Sequence, residues 1–328
     1  MNFRRLILHP VFFVAMVSLS FGECKGCKDS SSPPAHVSTA PTMKADSGLT
    51  QGTYNGGPLT RQETYLIDES LFSLAGQTDS ENRYSSTVMV STSIEAGAES
   101  IHCSGVLVAP GLVLTAGHCV CARQKATLAG NKAGHIIDSS KCARSALVTT
   151  VLYGISKETG LASSRSGEYK GEVRPHPEIK LTLDDQERLL SSNADLAIIS
   201  LQQSVKGISP ATRLPLKELQ GTESIVMVSY GYDKLNPNLH GKRRFKDYKI
   251  LKTLEPGGRF LFEQPQRDLY TGDSGGPCLR PTDGGDELVG ISTRGLGQEP
   301  TFTSIFSHRN WLQGELNRAP PKDADFVP

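Results

Sequence analysis

The stretch Thr271-Gly272-Asp273-Ser274-Gly275-Gly276-Pro277 constrains this chain more than any other. Glycines on both sides of Ser274 let the backbone turn tightly, and Gly276-Pro277 is a poor start for a helix. A serine hydroxyl is a weak nucleophile at neutral pH. It needs a base to take its proton and donors to hold the oxyanion that forms. A tight glycine turn can aim the N–H groups of Gly272 and Ser274 at one point, which is how an oxyanion hole is built from backbone alone. A polar, Gly-rich surface turn has the same composition, so the base and its partner must be sought elsewhere.

Two upstream stretches supply them. Leu112-Val113-Leu114-Thr115-Ala116-Gly117-His118-Cys119 is an apolar strand running into a small-residue turn that carries a histidine. Asn193-Ala194-Asp195-Leu196-Ala197-Ile198-Ile199 puts an aspartate at the mouth of another apolar strand. With Thr-Ala-Gly-His-Cys, Asp-Leu-Ala-Ile and Gly-Asp-Ser-Gly-Gly-Pro in this order, the chain resembles the trypsin-like (chymotrypsin-fold) serine peptidases over roughly residues 74–318. The resemblance implies an all-β fold of two six-stranded antiparallel β-barrels closed by a C-terminal helix, here around Trp311–Leu316. It also implies catalytic roles for His118, Asp195 and Ser274, an oxyanion hole at Gly272 and Ser274, and a Cys103–Cys119 disulfide.

Specificity and activation rest on the same resemblance. Asp268 stands where Arg/Lys-cleaving members carry the carboxylate at the floor of the specificity pocket. Thr293-Arg294-Gly295 replaces the usual Ser-Trp-Gly edge that pairs with the substrate backbone. Tyr270 stands where many members have a pocket cysteine. In the family a freed amino terminus pairs with the aspartate before the serine, here Asp273. Leu74-Ala75-Gly76-Gln77 is the positional match for that terminus, and nothing basic precedes it.

The seven cysteines leave at least one unpaired. Cys121 and Cys142 lie in a segment the family usually lacks and are expected to pair with each other, with Cys278 a buried thiol. Disulfides imply an oxidising compartment. Residues 1–22 read as a secretory signal, with Arg4 and Arg5 before a short apolar core. A lipid anchor at Cys24 or Cys27 competes with soluble export, secreted or periplasmic, and only that anchor would bring the chain to a membrane. Residues 23–73 read as a Ser/Pro/Gly-rich linker or pro-segment, 74–318 as the peptidase domain, and 319–328 as a disordered tail.

With 35 basic and 34 acidic side chains, a net charge of +1, the composition argues against a nucleic-acid binder. The expected partner is a protein or peptide substrate of a monomer, with no cofactor and no metal. Residues 121–172 read as a surface insertion near the histidine. The basic run Lys242-Arg243-Arg244-Phe245-Lys246 reads as a solvated hairpin open to nicking, the acidic group Asp184, Asp185 and Glu187 as solvated, and His176 as structural or exposed. Two other functions compete. One is an esterase using Gly272–Gly276 as a nucleophile elbow with Asp283 or Asp286 and His308, which would leave the His118 motif unexplained. The other is a catalytically silent or zymogen-locked peptidase homologue that acts as a binding protein.

Overall fold

The computed structural model describes residues 60–64, 76–94, 99–156, 159–231, 241–254, 258–262, 272–293 and 301–318. Strands form where runs of Val, Ile, Leu and Thr lie between turn residues. Two short strands come first, β1 (Thr60–Thr64) and β2 (Gln77–Thr78). Next, β3 (Thr87–Thr92), β4 (Ile101–Ala109) and β5 (Leu112–Thr115) run antiparallel in turn, and one turn of 3-10 helix at Gly117–Cys119 follows β5. Three hairpins lead on: β6 (Gln124–Leu128) with β7 (Lys132–Asp138), β8 (Ser145–Ile155) with β9 (Ala162–Pro175), and β10 (Lys180–Asp184) with β11 (Leu189–Asn193). After β12 (Ala197–Leu201) come β13 (Ser224–Ser229), β14 (Arg244–Leu254), β15 (Arg259–Phe262), β16 (Pro277–Arg280), β17 (Glu287–Ser292) and β18 (Thr301–Ser304). The helix α1 (Arg309–Arg318) ends the described chain.

These strands make two closed six-stranded antiparallel barrels, in agreement with the expected architecture. The first runs β9-β12-β5-β4-β3-β8 and closes through β8–β9. The second runs β13-β16-β17-β18-β15-β14 and closes through β13–β14. Closure removes sheet edges. β1 extends β9, and β2 pairs with β14 at Arg244 and Phe245.

The two-residue period of a strand divides the core. On β13, Ile225 and Met227 point into the second barrel, where they meet Tyr248, Phe260, Phe262 and Phe302. Val226 and Val228 point the other way, into the cluster that fills the first barrel and continues through Leu279, Leu288 and Ile291. Each fully buried aliphatic side chain contributes about 1.5–3 kcal/mol. The barrels therefore share one apolar seam. Cys278 is buried in the second barrel as a free thiol, and burial raises its pKa.

The structure corrects two readings of the chain. Residues 121–172 are not one surface insertion, because β8 and most of β9 are barrel staves. The added structure is a separate four-stranded sheet, β11-β10-β7-β6, drawn from both sides of that hairpin. Leu181, Leu183 and Ile137 are buried beneath it, and the Cys121–Cys142 disulfide ties its base. The basic run at 242–246 is not a solvated hairpin either. Arg243 and Arg244 are buried, because β14 begins there and β2 pairs over it. The acidic group is largely solvent-facing, with Asp184 receiving the N–H groups of Gln186 and Arg188 in the β10–β11 turn and Glu187 paired with Arg123.

The helix α1 docks on the first barrel through rings and one ion pair. Arg174 donates to Glu315 through Nε at 3.2 Å and Nη2 at 2.9 Å. His176 sits 4.6 Å from the Trp311 ring and 5.1 Å from His308, centroid to centroid. It is 4% exposed, so the structural role expected for it holds in buried form. Its Nδ1 accepts the Glu178 N–H at 3.1 Å, which requires a neutral ring.

Burial, aided by His308, lowers the His176 pKa from 6.5 to about 4, and burial also lowers that of His308. A depressed histidine pKa means that the unfolded chain binds the proton more tightly. The associated stability is complete above pH 6.5 and is lost as the pH falls toward about 4. Thermal unfolding across that window should show a fall on the order of 2 kcal/mol. In His176→Gln, whose amide oxygen can still accept the Glu178 N–H, that portion of the slope should vanish.

Candidate active site

The histidine turn is positioned by what surrounds it. All four residues of β5 are buried, and the Thr92 hydroxyl donates to the Cys119 carbonyl at 2.7 Å. A Cβ on Gly117 would lie 2.1 Å from the Ile179 side chain and 3.2 Å from Asp195 Oδ1, so only glycine lets the turn close on the aspartate. The Cys103–Cys119 disulfide fastens the next residue to β4.

Asp195 holds His118 at two points. The His118 N–H donates to Oδ1 at 2.8 Å, and the ring Nδ1 lies 2.7 Å from Oδ2. A carboxylate only accepts, so the proton of this contact is carried by Nδ1, and the neutral tautomer compatible with it is the one with its lone pair on Nε2. Asp195 is 0% exposed, which strengthens both contacts over their value in water. It is aimed by Ala194, a non-glycine residue at φ +49° whose carbonyl accepts the Leu196 N–H at 2.7 Å. A left-handed conformation at an alanine costs about 1–2 kcal/mol, and it sits beside the aspartate it orients.

The serine loop comes from the second barrel and docks on the first. Gly272 has φ +96° and Gly275 φ +83°. The Gly275 N–H donates to the Ser292 carbonyl at 2.7 Å, which anchors the loop to β17. On the other side, the Ser104 N–H donates to the Ser274 carbonyl at 2.8 Å and the Ser104 hydroxyl to the Gly272 carbonyl at 2.8 Å. Ser274 is 6% exposed. A Cβ on Gly275 would fall 2.1 Å from the Ser104 carbonyl oxygen, 2.3 Å from Thr115 Oγ1 and 3.2 Å from the Ala116 nitrogen. The loop is thus pressed against the strand end that leads into His118. Asp273 is buried, and its Oδ1 accepts the Ser229 hydroxyl at 2.5 Å.

The structure therefore brings His118, Asp195, Gly272, Asp273 and Ser274 to the seam between the barrels and forms both expected disulfides. Thr293 turns inward: it is 1% exposed, and its N–H and hydroxyl are both directed at the Thr301 carbonyl. Asp268, Tyr270, Arg294, Gly295, Leu74 and Ala75 lie outside the described residues. Among the described residues, no group of three or more His, Cys, Asp or Glu side chains is placed to hold a metal ion. Sequence reasoning missed Ser104, Ser229 and Ala194, because no residue type or spacing marks a hydroxyl that acts across barrels. It also missed a cavity of about 230 Å³ beside Gly272, lined by Met89, His102, Cys103, Leu147, Thr149 and Tyr230 among others.

Two glycines separate the conformational from the steric requirement. Gly130 has φ +75° with open space around its Cβ direction, whereas Gly275 has a similar φ and backbone against it. In chemical denaturation, Gly130→Ala should cost about 1 kcal/mol. Gly275→Ala should cost about 3 kcal/mol or more, since the serine loop must leave its seat.

The trypsin family model matches residues 75–312. Among solved structures, a protein described as GrC is similar at 16% identity and a TM-score of 0.52, with 74% of this chain and 98% of that chain covered. The scabies mite inactivated protease paralogue S-I1 is similar at 20% identity and a TM-score of 0.47, covering 74% of this chain and 99% of that one. Among the described residues no helix is long and apolar enough to cross a membrane. The family match spans most of the chain and contains all three motif stretches: this protein belongs to the trypsin family.

Proposed function

We propose that this chain is an exported serine endopeptidase that hydrolyses protein or peptide substrates through an acyl-enzyme. Ser274 attacks the scissile carbonyl while His118 Nε2 takes its proton. Asp195 holds His118 in the tautomer that leaves Nε2 free and stabilises the imidazolium that forms. The amides of Gly272 and Ser274 receive the oxyanion, each donor contributing about 3–4 kcal/mol to the transition state. The tetrahedral intermediate collapses as His118 returns the proton to the leaving amine. Water, activated by the same imidazole, then releases the acyl group. The observation that carries this reading is the two-point hold of Asp195 on His118, at 2.8 and 2.7 Å, with the serine loop seated on the strand that delivers the histidine.

Specificity follows as part of the same proposal. Asp268 receives an Arg or Lys side chain before the cleaved bond. By the family resemblance a carboxylate at that position pairs with an extended basic side chain, and left unpaired its charge would be costly to desolvate. The cavity lined by Gly272, His102, Cys103 and Tyr230 borders the serine loop and takes residues beyond the cleaved bond. Export is supported by the disulfides, which persist in oxidising compartments.

Fluorophosphonate labelling with the modified residue located by mass spectrometry tests the chemistry. Stoichiometric label should appear on Ser274. His118→Ala should abolish it on the same time scale, and Asp195→Asn should lower kcat by about ten-thousand-fold. In cleavage assays Asp268→Ser should remove the preference for Arg and Lys. A folded protein with no label on Ser274 would favour the silent, partner-binding homologue instead.

A further inference from the structure

Arg243 is 0% exposed, and each of its guanidinium nitrogens is engaged. Nε donates to Asp79 Oδ2 at 2.7 Å, Nη2 to Asn82 Oδ1 at 3.1 Å, and Nη1 to both the Val151 carbonyl at 2.8 Å and the Tyr230 hydroxyl at 2.9 Å. These partners come from three places: the segment after β2, strand β8 of the first barrel, and the end of β13 in the second. Asp79 is fixed in turn, accepting the N–H groups of Arg83 and Tyr84 at 2.9 Å each. Desolvating such a pair offsets most of its attraction, and an apolar packing of the same volume is often as stable. Fold stability alone therefore does not explain an arginine at this position.

What Tyr230 touches does. Tyr230 lines the cavity beside Gly272, and its backbone N–H donates to the Ser104 hydroxyl at 2.9 Å. That hydroxyl donates to the Gly272 carbonyl, and the neighbouring Ser229 hydroxyl donates to Asp273. The end of β13 thus holds two consecutive residues of the serine loop, and Arg243 holds the end of β13. Gly272 sits at φ +96°, a conformation with little restoring force of its own, so the path of the loop between the Gly272 and Ser274 amides depends on what clamps the Gly272 carbonyl, which shares its peptide plane with Asp273.

We propose that Asp79, Arg243 and Tyr230 form a positioning relay for the serine loop, which through Ser104 fixes the Gly272–Asp273 peptide and with it the spacing of the Gly272 and Ser274 amides for the oxyanion. The proposal rests on the peptidase reading and adds these residues to it. None of the three touches the reacting atoms. Their effect falls on turnover rather than on ground-state binding, because oxyanion stabilisation is realised only in the transition state.

The test uses the full-length protein and kcat per active site, counted by the burst with an activated ester, so that any unfolded fraction drops out. Tyr230→Phe removes one oxygen and leaves the ring in place. It should lower kcat about tenfold with KM changed less than about twofold. Ser104→Ala cuts the relay at its far end, and the double variant should be no slower than Ser104→Ala alone. Wild-type kcat in Tyr230→Phe, or simple multiplication of the two effects in the double variant, would overturn the relay. A wild-type protein that gives no burst would overturn the peptidase reading itself, a result separate from either.

Discussion

The hydrogen bonds of Ser104 to the serine loop are the joint on which this structure depends. The first barrel carries His118 and Asp195, and the second carries Ser274, so no single barrel holds the site. Ser104 bridges them with its N–H on the Ser274 carbonyl and its hydroxyl on the Gly272 carbonyl, each at 2.8 Å. A catalytic constellation must be held to about 0.5 Å, closer than an apolar seam enforces. Apolar contacts through Val226, Val228, Leu279 and Ile291 bring the barrels together, and polar contacts of fixed length set their register.

Around that joint, the chain spends conformational freedom where direction matters. Ala194 adopts a left-handed conformation to aim Asp195, and Gly275 fits where any side chain would strike the Ser104 carbonyl. The disulfide Cys103–Cys119 links the strand that bears Ser104 to the turn that bears His118. Farther out, α1 is docked on the first barrel by neutral histidine rings and by Arg174–Glu315. The structure thus grades from rigid polar contacts at the seam to a periphery whose hold weakens in acid.

Much of this was legible in the sequence, and what was legible shares a physical character. The three motifs are local: a strand end, a tight turn and the residue they present lie within ten positions. Their chemistry is carried by residue type, and so is the pairing of Cys121 with Cys142. What was not legible depends on pairing between distant strands. The stretch 121–172 reads as an insertion because it separates His118 from Asp195, yet β8 and β9 complete the barrel and the added sheet is split around them. The basic run at 242–246 reads as a solvated hairpin because it follows a loop and leads into a strand. Its burial is set by Asp79, 164 residues away in sequence, and by Tyr230 and Val151. Ser104 and Ser229 carry no mark in a linear reading, since a serine in a strand is ordinary until its partner across the seam is known.

On the function proposed here, groups from both barrels act as one unit in an acyl transfer to Ser274. The most direct measurement is rapid-quench mass spectrometry of the full-length protein mixed with an activated ester. One acyl group per chain on Ser274, formed with a burst of one equivalent of leaving group and absent in Ser274→Ala, is the result predicted. Steady release with no burst, or an acyl group on another residue, would contradict it.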